Sequence, residues 1–236
     1  MDEPPEQPEP RPQPELSASA RAALEPIVAL LANDDSAPTS VRAPSSSWKV
    51  HVADSLSGLA FAELAAARVI CDVGSGAGFP GLVLAAAMPR ARIDLVESIA
   101  RKSAFIERAA AAGNLANARA VTARAEDWAA GEGREAYEAV TARAVARLST
   151  LAELASPLLG EGGVLVAWKG RRDDEEEAEL GRAAAELAME PVEVIPAGPY
   201  AGSVNRHLHL LRKAGPTPPG LPRRAGMAKK RPRGAR

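Results

Sequence analysis

The apolar run Val69–Val73 opens straight into a glycine-rich turn, Gly74-Ser75-Gly76-Ala77-Gly78-Phe79-Pro80-Gly81. Glycine tolerates positive φ and leaves no Cβ in the way, so such a turn either brings a backbone close to a ligand or simply reverses tightly from strand to helix. Pro80 suits the first turn of the helix that follows, where its missing N–H costs nothing. Strand, glycine turn and helix in that order begin a parallel α/β unit, and the chain is thereby restricted to folds that repeat it.

The repeat is visible downstream. Short apolar runs at Val69–Val73, Arg92–Val96, Ala118–Thr122, Tyr137–Thr141, Val164–Trp168, Val192–Ile195 and His207–Leu211 predict seven strands. Helical spacing predicts helices at Gly81–Ala87, Arg101–Ala112, Leu148–Leu159 and Asp174–Met189. Parallel strands need such crossovers, so the expectation is a mostly parallel sheet covered on both faces. No helix separates the last two strands, which predicts an antiparallel hairpin at the sheet edge. Upstream, Leu16–Ala32 reads as an amphipathic helix that Pro26 either kinks or begins, and Trp48–Ala66 as a second helix capped by Ser45–Ser47. The resulting partition is a proline-rich disordered leader over 1–15, a helical extension over 16–67, an α/β body over 68–213 and a basic tail over 214–236.

With 29 Lys+Arg against 30 Asp+Glu the net charge is -1, which taken whole argues against a nucleic-acid partner. By segment the picture reverses. Residues 1–16 hold five acids and one base, whereas residues 206–236 hold ten bases and no acid. Cys71 is the sole cysteine and excludes an intramolecular disulfide, and three scattered histidines supply no metal-ligand pair. Cys71, inside a strand, reads as a small buried residue and not a nucleophile. No apolar run approaches the ~18 residues a membrane span needs, and the acidic start is unlike a signal peptide. The expectation is a cytoplasmic protein, monomeric, without metal.

The ligand of the glycine turn is open to two parses. Gly76-x-Gly78-x-x-Gly81 matches a dinucleotide fingerprint, with Glu97 about 20 residues on to take a ribose. Gly74, directly off the strand, opens the turn two residues earlier and favours S-adenosylmethionine, whose amino-acid tail carries no phosphate.

From His51 to Gly170 the chain resembles the bacterial 16S rRNA guanine-N7 methyltransferase family RsmG, also called glucose-inhibited division protein B. The matching pieces are Thr39-Ser-Val-Arg42, His51-Val-Ala-Asp54-Ser55-Leu56, the loop from Asp72 to Gly81, Leu95-Val-Glu97-Ser98, Arg101-Lys102 with Phe105, Arg124-Ala125-Glu126, Thr141-Ala-Arg143-Ala144 and Trp168-Lys169-Gly170. Arg206-His207-Leu208 and Pro222-Arg-Arg-Ala-Gly226 also match. The family's longer amino-terminal region, with its Trp-Asn and Asn-Leu-Thr elements, is reduced here to Thr39.

The resemblance implies a Rossmann-like class I methyltransferase fold and S-adenosyl-L-methionine as cofactor. It places Gly74, Gly76, Gly78 and Phe79 in the donor loop, Glu97 on the ribose, Ala125 and Glu126 at the adenine, and Arg143 near the donor as the one catalytic candidate. It implies 16S rRNA or the small ribosomal subunit as partner, in the 530-loop region, with Lys169, Arg206, Arg223, Arg224, Lys229 and Lys230 on the RNA. His51, Asp54 and Ser55 belong, on this reading, to a helix packed near the loop in a structural or positioning role. No Asn/Asp-Pro-Pro-Tyr follows the fourth strand, so methylation of an exocyclic amine lacks its usual support. Guanine N7 instead offers a lone pair that needs no general base. The rivals are a methyltransferase of another RNA or a small molecule, a non-catalytic RNA- or ribosome-binding module on the same fold, and, more distantly, a nicotinamide oxidoreductase.

Overall fold

A computed structural model describes Arg11 and residues 14–235; the leader expected over 1–15 therefore lies almost wholly outside the described residues. The chain opens with α1 (Ala18–Asn33), α2 (Pro44–Ser47), a π-helical turn (Trp48–Ala53), α3 (Asp54–Leu56), a 3-10 turn (Ser57–Ala60) and α4 (Ala62–Ala66). Strands and helices then alternate through β1 (Val69–Val73), α5 (Gly81–Ala87), β2 (Arg92–Glu97), α6 (Ala100–Ala112), β3 (Ala118–Thr122), α7 (Ala125–Ala129), β4 (Tyr137–Arg143), α8 (Leu148–Ala155) and β5 (Leu159–Lys169). The remaining elements are α9 (Asp174–Ala183), a 3-10 turn (Ala185–Leu187), β6 (Met189–Pro196), β7 (His207–Lys213) and α10 (Met227–Lys230).

The seven strands form one sheet in the order β3-β2-β1-β4-β5-β7-β6, parallel except for β7. This is the class I methyltransferase topology the resemblance implied. The expected hairpin is present, but β7 inserts between β5 and β6, so only β6 lies at the edge. β1 pairs in parallel with both β2 and β4, and the crevice beyond its carboxyl end is where such sheets bind ligands.

Period-two alternation sends Ile70, Ile93 and Leu95 to one face and Cys71, Val73 and Val96 to the other. The first face is covered by Phe105 and Ile106 of α6 together with Leu24, Ile27 and Leu31 of α1; the second by Leu148 and Leu151 of α8 and Leu180 of α9. Leu24, Ile27 and Leu31 are wholly buried, each contributing about 2 kcal/mol. The helical extension is thus part of the main core.

Pro26 neither starts nor stops α1, which runs through it from a cap in which Ser17 Oγ accepts from Ala20 N at 3.1 Å. Burial of the surrounding apolar stripe outweighs the lost backbone bond. The helix expected over Trp48–Ala66 is broken at Phe61, whose backbone is extended and whose ring is buried. Just before the break the chain passes close to Trp168: a Cβ on Gly58 would stand 2.3 Å from that ring, whose Nε1 donates to Asp54 O at 2.8 Å. β5 begins earlier than expected, with Leu159 opposite Tyr137; the register then shifts, so that Val164 faces Ala139 and residues 160–163 have no register partner on β4. α9 stops at Ala183, and a left-handed Ala188 turns the chain into β6 before the expected Val192.

The basic tail is packed. Leu221 and Ala228 are buried, and Arg182 Nε donates to Gly234 O at 2.7 Å. Among the described residues no helix is long and apolar enough to cross a membrane.

Candidate functional site

Two buried carboxylates hold the glycine turn at its ends. Asp72 Oδ2 accepts from Gly81 N at 3.2 Å and Oδ1 from Thr141 Oγ1 at 2.9 Å, so the turn is tied to both β1 and β4. Burial pushes the Asp72 carboxyl up to about 6 against the opposing pull of those hydrogen bonds. At the end of β2, Glu97 Oε2 accepts from Gly76 N at 3.0 Å and Oε1 from Ile99 N at 2.8 Å. Gly74 takes φ +67°, and a Cβ there would lie 2.8 Å from Val145 Cγ2.

A cavity of about 200 Å³ opens above this frame at the carboxyl ends of β1 to β4. Gly74, Val96 and Ser98 form its floor, residues 123–126 one side, and Val145, Ala146, Thr150 and Leu154 the other. Gly226, Ala228 and Lys229 form an outer wall. Of the residues expected at the donor, Gly74, Ala125 and Glu126 line this cavity. Gly76, Gly78, Phe79 and Glu97 shape the loop beside it. The lining fits an adenosine-bearing donor, with apolar faces on Val96, Val145 and Leu154 for a purine and polar edges on Glu126 and the backbone of 123–125.

Arg143 does not face this cavity. It is the last residue of β4, and its Nη1 donates to Asp54 Oδ2 and to Val50 O, each at 2.9 Å. Its Nη2 lies 3.3 Å from His51 Nδ1, and His51 Nε2 lies 3.1 Å from Thr39 Oγ1. The His51 ring stacks on Phe79 at 4.6 Å with planes 9° apart, and the Arg143 guanidinium lies 5.8 Å from the same Phe79 ring. Burial and the nearby Arg143 charge lower the His51 imidazole to about 4. The cluster keys the helical extension onto the glycine loop. A second cavity beside it, at the ends of β4 and β5, is lined by Asp54, Arg143, Trp168, Lys169 and Arg206.

The bases expected on RNA divide into two groups. Lys169 Nζ is held by Glu176 Oε1 at 2.6 Å and Ala146 O at 3.1 Å, and Arg223 grips both oxygens of Glu153. Arg206 is intermediate, with Tyr200 Oη at 3.3 Å and Asp54 Oδ1 at 3.7 Å. Arg224, Lys229 and Lys230 are exposed and make no ion pair among the described residues. Sequence reasoning missed the role of Asp72 in tying the loop, although it stands at the loop's first position. It also missed the outer wall, because in the sequence the Pro222–Gly226 motif reads only as part of an RNA-binding tail.

The chain matches the family described as rRNA small subunit methyltransferase G over residues 26–207. The ribosomal RNA small subunit methyltransferase G of Gloeobacter violaceus is 41% identical over 189 residues, covering 80% of this chain and 75% of that protein. The chain belongs to the rRNA small subunit methyltransferase G family. The matched span takes in every family residue from the glycine loop to Arg206 and stops before the segment that walls the cavity. Solved structures confirm the fold of this family member. A predicted O-methyltransferase of Agrobacterium tumefaciens aligns with TM-score 0.52 at 23% identity over 65% of this chain and 79% of that one. Pyrococcus horikoshii TYW2, solved in complex with MeSAdo, aligns with TM-score 0.50 at 15% identity over 65% and 61% of the two chains.

Proposed function

We propose that this protein transfers a methyl group from S-adenosylmethionine to N7 of a guanine in the 530-loop region of 16S rRNA. The observation that carries the reading is the cavity built on Gly74, Ala125 and Glu126, in a chain of the rRNA small subunit methyltransferase G family. The donor supplies an electrophilic methyl on a sulfonium. In the transfer the N7 lone pair forms the new N–C bond, the C–S bond breaks and its electrons stay on sulfur, so no proton moves.

The protein's work is then to orient. Ala125 backbone groups and Glu126 offer partners for an adenine edge. Glu97, whose oxygens each hold a loop N–H, has acceptor directions left for ribose hydroxyls, since a carboxylate offers about four. Arg143 acts as a positioning residue through Asp54 and Val50, holding the extension against the loop. Orientation and exclusion of water are able to supply up to about 7–11 kcal/mol. An rRNA substrate supports a cytoplasmic location.

The test is incubation with isotopically labelled donor and small subunits from a strain lacking the enzyme. Label on one guanine that is cleaved by borohydride and aniline, as N7-methylguanine is, supports the reading. Label on an exocyclic amine, on a ribosomal protein or on no base overturns it.

A further inference from the structure

After β7 the chain returns across α8 to the mouth of the donor cavity. Arg223 clamps Glu153 of α8 through two guanidinium nitrogens, and its Nη2 also reaches Arg231 O at 2.8 Å. Arg233 pairs with Glu186 and lies 3.9 Å from Glu153. Between these anchors Gly226, in the left-handed region at φ +81°, turns its N–H onto Glu126 Oε1 at 2.6 Å, and Thr150 Oγ1 donates to Ala228 O at 3.3 Å. Gly226, Ala228 and Lys229 thereby complete the cavity wall. Exposed beside that wall stand Arg224, Lys230 and Arg231, with no ion pair among the described residues.

We propose that residues 222–233 are a strap whose inner side closes the methyl-donor pocket and whose outer side takes RNA phosphates, so that donor and RNA bind cooperatively; this rests on the function proposed above. Glu126 is the joint. One of its oxygens holds Gly226, and the other remains to accept the amine of an adenine, so the strap fixes the carboxylate that would read the donor. The main anchor is the Arg223–Glu153 pair, with side chains 21% and 3% exposed, beside one buried methyl, Ala228, so the strap lifts for donor entry as a unit when that pair opens. Phosphates bound by Arg224, Lys230 and Arg231 oppose that lifting. Whichever ligand binds first bears the cost of ordering the strap, and the second binds more tightly, with the coupling equal in both directions.

The experiment is equilibrium dialysis of labelled S-adenosylhomocysteine against the full chain, a chain ending at residue 221, and Arg223→Ala. Each is measured with and without small subunits lacking the methyl group, and circular dichroism reports folding. In the full chain, affinity is expected to rise about tenfold with subunits, within the usual range of such coupling. Truncation weakens donor binding about tenfold and abolishes the rise, and Arg223→Ala falls between. If the truncated chain is unfolded, Arg223→Ala alone decides. Equal donor affinity in a folded truncation, or in Arg223→Ala where the truncation is unfolded, overturns the strap. A full chain whose donor affinity ignores the subunits overturns the coupling. A full chain that binds no donor at all overturns the underlying function instead.

Discussion

Arg143 and Asp54 form a buried ion pair, Nη1 to Oδ2 at 2.9 Å, between side chains only 16% and 2% exposed. It joins the carboxyl end of the fourth strand to the helical extension 89 residues away. Removing one partner of such a pair strands the other charge, which costs about 3–5 kcal/mol. Asp54→Ala is therefore expected to lower stability by about 3 kcal/mol in urea titration. Asp54→Ala/Arg143→Ala should cost less than the two single changes summed, because no orphan charge remains.

Acid should destabilise the fold from pH 6.5 downward. His51 and His209 both fall to about 4, chiefly through burial, against an ordinary 6.5. Between those values the unfolded chain binds more protons than the folded one, so stability is complete above pH 6.5 and is lost as pH falls toward 4. Asp72, raised to about 6, acts oppositely from pH 4 to 6, but it is one group against two. The melting temperature is expected to fall steadily from pH 7 to pH 5, with a shallower slope in His209→Gln. A flat profile in the wild type would contradict the burial of these imidazoles.

Gly74 and Gly76 share positive φ but differ in surroundings. A Cβ at Gly74 meets Val145 at 2.8 Å, whereas one at Gly76 meets only Gly74 O at 3.8 Å. Both alanine variants incur the left-handed penalty of about 1–2 kcal/mol. Only Gly74→Ala should also displace the cavity wall, reducing donor affinity by more than tenfold in calorimetry while Gly76→Ala loses a few-fold.

Gly58→Ala drives a methyl into the rigid Trp168 ring, 2.3 Å away. Overpacking of this kind costs about 1–3 kcal/mol, and Trp168 would shift off Asp54 O. Lower stability with an altered tryptophan emission spectrum is the expected result.

Salt dependence separates the free bases from the paired ones. Residues 222–236 carry seven bases, but Arg223 and Arg233 are bound to acids, leaving Arg224, Lys229, Lys230 and Arg231 among the described residues. Truncation at 221 should reduce the slope of log affinity for RNA against log salt by about 3, at roughly 0.7–0.9 per phosphate. A reduction near 6 would mean that the ion pairs to Glu153 open on the RNA.

Much of the architecture was legible because its signals are local. Seven apolar runs, a glycine turn and the absence of a helix between the last two runs led to the strand list and to an antiparallel end. Errors arose where the partners lie far along the chain. The helix expected from Trp48 to Ala66 gives way at Phe61, whose ring is buried in the core, and β5 starts at Leu159 opposite Tyr137, five residues before the expected Val164.

The sequence by itself determined the order of strands and helices, the position of the glycine turn and the acid at the end of the second strand, since each follows from backbone preference and side-chain period. Only the tertiary structure decided which charges are free. Arg143 meets Asp54, Arg223 meets Glu153 and Gly226 meets Glu126 across separations of 89, 70 and 100 residues. Coulomb attraction and hydrogen bonding act through space, so a ten-base carboxyl-terminal stretch that reads as an open RNA tail is in the fold partly spent on neutralising acids and partly built into the wall of the cavity proposed for the donor.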